Sequence, residues 1–443
     1  MYETISTDLI DFIQHSPSCY HAIKNMTELL QADGYRELSE SEDWTLEAGG
    51  KYFICRNGSS VLCFRLPAKE KNPGDAGFMI TAAHSDSPTF KIKENAELAA
   101  DPRYVRLNTE RYGGMLCSTW LDRPLSVAGK VVLRDNGGIK IRLLNIDRDL
   151  LLIPNVAIHM NRSANDGASY NAAVDMSPVF SDGTGKEQFR KLLASALSVN
   201  EEDILGTDLF LYNRMPGTVW GLHNEFLSAP RLDDLQCAYA SLRGFMDAPA
   251  GDGIPVLAVL DNEEVGSCTR QGADSTFLSD CLTRICEALH ISHAGYLRML
   301  AKSFMVSADN AHAVHPNHPE YADATHRPQM NGGIVIKFNA SQRYTTDAVS
   351  CALFRKICTE ADIPVQFFAN RSDLAGGSTL GNISNSHVSL HTVDIGLPQL
   401  AMHSSYETAG TADTAYLARA LRLFFSASLR PIKDAVTVCF PEK

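Results

Sequence analysis

Histidine and carboxylate side chains follow short apolar runs at several points of this 443-residue chain. In the segment IPVLAVLDNEEVGS, residues 254–267, a run rich in Val, Ile and Leu breaks directly into Asp261, Glu263 and Glu264. A short apolar run bounded by Gly and Pro predicts a buried strand. Open α/β sheets carry their sites just past the carboxyl ends of such strands, so these carboxylates are candidates for metal binding and for activating a water. A solvated acidic loop is the alternative.

Other residues of the same types occupy similar positions. His84 and Asp86 follow the run MITAA, and Asp309 follows FMVSA. His403 follows PQLAM, whereas Asp233 stands at the entry to a predicted helix. A lone Asp is more often a turn or cap residue, and one strand-end placement is common by chance. The repetition of this placement within one chain favours a shared site.

The number of these candidates suits two metal ions. Two zinc ions held close together need one bridging carboxylate and about two further protein ligands each. We assign Asp233 as the bridge. Glu264 and His403 then complete one ion, and His84 and Asp309 complete the other.

Two carboxylates remain for other roles in this assignment. Glu263 is left as the general base that takes a proton from a water held between the metals. Asp86 is two residues from His84, which is too close to ligate conveniently, but it is well placed to orient the imidazole. Metal-bound histidines usually have such a partner for the second ring nitrogen.

Composition limits the class of protein. Hydrophobic residues make up 44% and charged residues 21% of the chain, as in ordinary globular proteins. The net charge of −12 argues against nucleic acid or an anionic membrane surface as a partner. No segment has the length of a membrane span, and the amphipathic N-terminus does not resemble a signal peptide. The eleven scattered cysteines include no C-x-x-C pair, which predicts reduced thiols and a cytoplasmic location.

The periodicity of the hydrophobic residues divides the chain into helix–strand regions and a β-rich region. Amphipathic helices and the strand-like runs 52–56, 60–66 and 77–88 come first. From about Lys93 an alternating pattern with Gly-Gly and Asn-Gly turns predicts an antiparallel meander, followed by a polar helix within 185–205. Helix–strand alternation returns near Trp220 and persists to a helix around 413–428. We therefore predict an α/β catalytic domain, residues 1–92 and 222–443, interrupted by a β-rich domain, residues 93–221.

A set of motifs in fixed order identifies a resemblance. In chain order they are AAHSDSP, STWLDRPLSVAGKV, IPNVAIHMNR, RLDDL, DNEEVGS, SADNAHAVHPN, IKFNASQRY, GGSTLGN and PQLAMHSSYE. Through these motifs, nearly the whole chain resembles the aspartyl aminopeptidase family of di-zinc metallopeptidases. The family's metal ligands fall on the five residues assigned above, and its general base falls on Glu263. Asp234 replaces an Asn common in the family, and its added charge either tightens metal binding or faces solvent.

The resemblance implies the architecture, the cofactors and the partners. The catalytic domain is expected to hold a mixed β-sheet flanked by helices, and the inserted β-rich domain is expected to drive oligomerisation. Two zinc ions per subunit are expected, with cobalt or manganese as substitutes. The implied assembly is a homo-oligomer, a tetrahedral dodecamer built from dimers, and the implied substrates are short peptides with a free N-terminus.

Four further site residues follow from the motifs. By resemblance, His159 of IPNVAIHMNR reaches the active site of a neighbouring subunit, although the residues alone favour a polar position on a strand. Lys337 matches a position near the substrate side chain and suits an acidic residue, with a strand-edge residue as the alternative. Tyr406 stands where acid-preferring members tend to carry an Arg close after the metal-binding His, which leaves the acidic preference open. His312 follows Asp309 closely and is a candidate for the pocket wall, with a structural role as the alternative.

The sequence therefore predicts an aminopeptidase that removes single N-terminal residues, with an acidic preference among the possibilities. A related metallohydrolase, such as a deacylase or a carboxypeptidase, is the enzymatic alternative. A catalytically dead assembly or cargo protein is the alternative from another class. An intact set of five ligands and a base argues against the latter.

Overall fold

The computed structural model of the chain describes residues 2–68 and 73–441. For four of these residues, Tyr2, Glu3, Ala99 and Ala100, it describes the backbone but not the side chain. The helices within these residues are α1 (Tyr2–Gln14), α2 (Cys19–Ala32), α3 (Phe189–Leu197), α4 (Leu232–Asp247), α5 (Phe277–Ala288), α6 (His293–Leu300), α7 (Ala348–Glu360), α8 (Leu380–His387) and α9 (Asp413–Phe424). The strands are β1 (Arg36–Glu37), β2 (Lys51–Arg56), β3 (Ser60–Arg65), β4 (Phe78–His84), β5 (Thr89–Asp101), β6 (Tyr104–Tyr112), β7 (Leu125–Asp135), β8 (Gly138–Asn145), β9 (Val179–Asp182), β10 (Ile204–Asn213), β11 (Thr218–Trp220), β12 (Phe226–Ala229), β13 (Ile254–Leu260), β14 (Phe304–Ala308), β15 (Ala311–His312), β16 (Ile334–Phe338), β17 (Val365–Ala369), β18 (His391–Gly396), β19 (Pro398–Leu400), β20 (Glu407–Gly410), β21 (Ser428–Ile432) and β22 (Ala435–Cys439).

A mixed nine-stranded sheet forms the centre of the molecule, in the order β1-β2-β3-β13-β4-β14-β18-β16-β17. Strands β13, β4, β14 and β18 are parallel neighbours, whereas β3 runs antiparallel to β13 and β16 runs antiparallel to β18. The predicted mixed sheet with flanking helices is confirmed. Because β13, β4 and β14 point the same way, the residues after their carboxyl ends meet at one edge of the sheet.

Both faces of this sheet are covered. Along β13, Leu257 and Val259 join one hydrophobic cluster, in which α4 and α9 also pack. The alternate residues Val256 and Ala258 join a second cluster with α5 on the opposite face. Successive side chains of a strand point to opposite faces, so a continuous apolar run fits a strand buried on both sides. Every residue of β13 and of β4 is buried.

A six-stranded antiparallel sheet, in the order β8-β7-β10-β5-β6-β9, has its own hydrophobic core. Helix α3 covers it through Leu193 and Leu197. The predicted boundaries of the β-rich domain are 93 and 221, and the strands of this sheet run from Thr89 to Asn213. The polar helix predicted within 185–205 ends at Leu197, where Ser198 adopts a left-handed conformation with φ 55°.

A third, five-stranded sheet has the order β11-β12-β20-β19-β15. Its strands β19 and β20 are antiparallel neighbours joined by the turn at residues 401–406. This turn carries His403, whose backbone is left-handed with φ 65°. The sheet therefore brings a C-terminal hairpin turn to the edge at which the central parallel strands end.

The cysteines and helices add two observations. All eleven cysteines are free thiols in the structure. Within the part of the chain that the structure describes, no helix is both long enough and apolar enough to span a membrane.

Candidate active site

Three neighbouring parallel strands deliver the first residues of the site. His84 is the last residue of β4 and pairs in register with Leu260, the last residue of β13. Glu263 and Glu264 follow β13 in a short 3-10 turn, after Asn262 in a left-handed conformation with φ 63°. Asp309 follows β14 directly. These side chains meet because the three strands end at the same level of the sheet.

Asp233 lies between two imidazoles. Its Oδ1 is 3.5 Å from His84 Nε2, and its Oδ2 is 3.3 Å from His403 Nε2. The Asp233 side chain is only 3% exposed, and no hydrogen bond reaches its Oδ1 from the described residues. A carboxylate with one oxygen facing each histidine has the geometry of a group that can bridge two cations.

Each imidazole has a further carboxylate. Asp309 Oδ1 is 3.8 Å from His84 Nε2, and Glu264 Oε2 is 3.5 Å from His403 Nε2. The ligand atoms of Asp233, Glu264 and His403 form one compact group, and those of His84, Asp233 and Asp309 belong to another. The structure thus brings together the five residues that the sequence assigned as ligands. Asp234 belongs to the His84 group as well, and His84, Glu263 and Glu264 form a third group.

Asp86 accepts hydrogen bonds from several sides. Its carbonyl oxygen lies 3.0 Å from His84 Nδ1, and its Oδ1 lies 3.4 Å from the same nitrogen and accepts the backbone N–H of Glu263 at 3.1 Å. Its Oδ2 accepts the backbone N–H of Glu264 at 3.2 Å and the hydroxyl of Tyr112 at 2.8 Å. Asp86 therefore contacts the unused nitrogen of a candidate ligand and also holds the turn that carries Glu263.

The cluster holds more negative charge than its two histidines can balance. Burial, followed by the neighbouring Asp233, raises the pKa of Glu264 well above its usual range. Burial also raises the pKa of Glu263 to about 8, with the nearby carboxylates adding to the effect. Oδ1 of Asp233 and Oε1 of Glu264 are buried without a hydrogen-bond partner among the described residues. Histidine nitrogens with carboxylate oxygens are ligands that zinc takes, so the residues present fit a pair of zinc ions.

The three residues predicted to contact substrate lie in different settings. Lys337 is only 3% exposed, and its Nζ donates to the carbonyl of Asn310 at 2.8 Å and lies 3.5 Å from Asp309 Oδ2. The exposed His312 packs against the ring of Phe368, edge to face. The hydroxyl of Tyr406 donates to the carbonyl of Pro216 at 2.6 Å.

His159 lies apart from the cluster of its own subunit. It stands in an exposed turn, outside the strands, within the long connection between β8 and β9. Among the described residues, no hydrogen bond or ion pair joins it to the candidate ligands. Its neighbours Val156, Ile158 and Met160 are 58%, 48% and 83% exposed, respectively.

Comparison with known proteins gives the family of this chain. The family described as Aminopeptidase I zinc metalloprotease, M18, matches residues 12–425. This chain belongs to the M18 family. An M18 family aminopeptidase 2 of Clostridium acetobutylicum is 45% identical over 424 residues, which cover 94% of this chain and 98% of the relative. The M18 aminopeptidase fold and the zinc metalloprotease class therefore apply to this chain, and the aspartyl subtype remains a prediction.

Solved structures agree with the M18 assignment. The chain of a cryo-EM structure of the Ape4 and Nbr1 complex has a TM-score of 0.92 and 35% identity, with coverage of 96% of this chain and 86% of that one. A structure of the S. cerevisiae mApe1 dodecamer has a TM-score of 0.82 and 28% identity, with coverage of 96% and 97%. The likeness thus includes both the central sheet and the six-stranded sheet.

Sequence reasoning missed the contacts of three residues of this M18 site. For Asp234 the sequence leaves open a role in metal binding or a place in solvent, and the structure buries it completely, with its Oδ2 accepting the His84 N–H at 3.0 Å. Glu407, 1% exposed, accepts the backbone N–H of Asp233 at 3.0 Å and that of His403 at 2.7 Å. Tyr112 belongs to the six-stranded sheet, and its hydroxyl donates to Asp86 Oδ2 at 2.8 Å. The only signal for Glu407 is its position four residues after His403.

Proposed function

We propose that this chain is a cytosolic aminopeptidase that binds two zinc ions and removes single N-terminal residues from short peptides. Asp233 would be shared by both ions, His84 and Asp309 would complete one set, and Glu264 and His403 the other. The position of Asp233 between the two imidazoles is the observation that carries the proposal. Cobalt or manganese should replace zinc in the same oxygen and nitrogen environment.

The chain's own residues divide the remaining work. When bound, the zinc ions supply Lewis-acid polarisation of the scissile carbonyl and lower the pKa of a water. Glu263 takes the proton of that water and gives it to the amine that leaves. Asp86 orients the His84 ring through Nδ1 and holds the turn of Glu263 through its backbone N–H.

A second subunit is proposed to complete the site. The turn of His159 is exposed and lies among exposed apolar side chains, as expected for a segment that contacts another copy of the chain. His159 of one subunit would then donate a hydrogen bond to the oxyanion formed in the active site of its neighbour. We propose a homo-oligomer, a dodecamer assembled from dimers, by analogy with the mApe1 relative of S. cerevisiae, which is itself a dodecamer.

The substrate preference is proposed to include acidic N-terminal residues. Lys337 is the cation that contacts the cluster, through Asp309, and a carboxylate side chain of the substrate would add a second partner for its ammonium. His312 and Tyr406 are proposed to contribute to the wall of the substrate pocket.

A library of substrates tests the reaction class directly. Aminoacyl anilides with acidic, aliphatic and aromatic residues should be hydrolysed, and the same compounds with an acetylated amine should not. A chelator should abolish the activity, and zinc, cobalt or manganese should restore it. Release of C-terminal residues would instead indicate a carboxypeptidase, and hydrolysis of only the acetylated compounds a deacylase. A metal-loaded protein that is inert on all of them would overturn the proposal in favour of an assembly role.

A further inference from the structure

One segment of the six-stranded sheet that contacts the metal site comprises residues 112–119, and we call it the 112–119 segment. It begins at Tyr112, the last residue of β6, and ends in the 3-10 turn Cys117–Trp120. Tyr112 pairs in register with Thr89 of β5, and its ring packs edge-on against Phe210 of β10, with centroids 5.3 Å apart. The sheet therefore fixes the position of this tyrosine.

The hydroxyl of Tyr112 joins the loops that follow two catalytic strands. It donates to Asp86 Oδ2 at 2.8 Å, after β4, and accepts from Asn262 Nδ2 at 2.8 Å, after β13. Asn262 itself is held by Thr269 Oγ1 and Gln271 Nε2, each donating to its Oδ1 at 2.8 Å. Both loops lead directly to candidate metal-site residues, so this single hydroxyl connects them.

The next residues of the 112–119 segment contact the part of the metal site that contains Glu264 and His403. Gly113, at φ +80°, lies so close to Glu264 that an added Cβ would be 3.1 Å from the Glu264 Cβ. An added Cβ on Gly114 would lie 3.9 Å from His403 Nδ1, and the N–H of Leu116 donates to the His403 carbonyl at 3.0 Å. The segment thus touches Asp86, Glu264 and His403 in succession.

From these contacts we infer that Tyr112 is a positioning residue, through which the six-stranded sheet sets the metal ligands and the base. Its hydroxyl acts through Asp86, which contacts His84 and the backbone of Glu263 and Glu264. A shift of the six-stranded sheet relative to the central sheet would move this hydroxyl, and the metal site would then lose its geometry. The inference rests on the proposed function for the identity of the ligands.

The variant Tyr112→Phe tests the inference because it keeps the ring and removes only the hydroxyl. Partners that orient metal ligands are typically worth 10–100-fold in metal affinity or activity, and we expect a loss of roughly that size in zinc affinity and in kcat, with KM little changed. Zinc affinity is measured by competition with a chromophoric chelator. The matched control is Tyr212→Phe, since Tyr212 lies in the same sheet, is buried, and donates its hydroxyl to Asn145 at 2.7 Å.

A second pair of variants tests the segment without removing a hydrogen bond. Gly113→Ala should lower zinc affinity, because the new methyl group presses on Glu264. Gly137→Ala is its control, since Gly137 has a similar φ of +87° in the same sheet and nothing within 4 Å of an added Cβ. Wild-type zinc affinity in Gly113→Ala would contradict the contact that the structure shows.

A double-mutant cycle tests whether Tyr112 acts through Asp86. Added to Asp86→Ala, Tyr112→Phe should cost little more, because the carboxylate that it positions is gone. Fully additive losses would overturn the inference, and so would unchanged zinc affinity and kcat in Tyr112→Phe, or an equal loss in Tyr212→Phe. Failure of the proposed function is a different result, since the wild-type chain would then bind no zinc or hydrolyse no aminoacyl substrate.

Discussion

The central sheet and the six-stranded sheet differ in how much of their surface is covered. Strand β13 is buried along its whole length, whereas most residues of the edge strand β8 are exposed, Ile139 and Ile141 among them. The first sheet holds its chemical groups at the ends of strands that are packed on both faces. The second carries the 112–119 segment and the turn of His159, which leave the sheet. The central sheet thus presents His84, Glu264 and Asp309 at the ends of buried strands, and the six-stranded sheet carries the groups that we propose align or complete the site.

The largest effect is expected at Asp233, the proposed shared ligand, which lies at the start of α4. Asp233→Ala should remove both metal ions and leave only the activity that remains without metals, whereas His84→Ala and His403→Ala should mainly weaken one ion each. Metal analysis of the purified variants measures this. Asp247→Ala, at the other end of α4, is the control, since the ion pair that its exposed side chain forms among the described residues is with Arg243, one turn earlier. Two ions retained in Asp233→Ala would refute the bridge.

Variants of the adjacent glutamates separate metal binding from proton transfer. Glu263→Gln should keep its metals while kcat falls by roughly 10²–10⁴-fold, the range for loss of a general acid–base group. Glu264→Gln should lose metal as well, because it removes a candidate ligand. Each variant is the control for the other, because both replace a Glu by a Gln at neighbouring positions. The reverse pattern would show that the base and the ligand have been exchanged.

The turn of His159 is exposed, in contrast to the buried strands of the central sheet. His159→Ala should keep both its metals and its assembly, yet lose about 10²–10³-fold in kcat, the range seen on removal of one oxyanion donor. His15→Ala, which removes an exposed imidazole next to α1, should have wild-type activity. Near-normal activity of His159→Ala would end the proposal of a shared site.

Mixing subunits separates a shared site from an indirect effect of His159. Subunits of His159→Ala and Glu263→Gln should regain part of the activity when they exchange, because a mixed dimer contains one site with both groups intact. Native mass spectrometry verifies the exchange. Absence of rescue after verified exchange would mean that each subunit relies on its own residues.

The smallest effect is expected for substrate preference. Lys337→Met should lower kcat/KM for acidic substrates more than for neutral ones, by roughly tenfold, because a hydrogen bond to a charged group is worth about 1.5–3 kcal/mol. Metal content is measured in parallel, since Lys337 also contacts Asp309. Equal losses on both substrate classes would mean that Lys337 acts through its contact with Asp309 and not on the substrate side chain. Tyr406 would then be the next position to test.

Much of the fold could be predicted from local patterns. The all-buried β13 and β4 are visible as short Val/Ile/Leu-rich runs, and the antiparallel sheet is visible as alternation with Gly-containing turns. The placement of His84, Glu264 and Asp309 after such runs is enough to bring them to one edge, because parallel strands end at the same side of a sheet. The polar helix is visible as the 3.6 period of EQFRKLLASAL, which ends at Leu197 as α3 does.

Contacts between distant segments could not be predicted in this way. Glu407 resembles any strand residue, and only the third sheet shows that its carboxylate holds the backbone of both Asp233 and His403. Tyr112 belongs to a strand of the other sheet, so no spacing relates it to Asp86.

The sequence by itself determined which residues have the chemistry to bind metal. The order of its motifs indicated the zinc aminopeptidases to which the chain belongs, whereas the aspartyl subtype stays a prediction. Periodicity and residue type are local properties, so they establish elements and the residues at their ends. Only the tertiary structure decided that Asp234 is buried, that Lys337 contacts Asp309, and that Tyr112 reaches Asp86. Such contacts depend on how sheets pack against each other, and packing is set by the shape of whole surfaces rather than by neighbours along the chain.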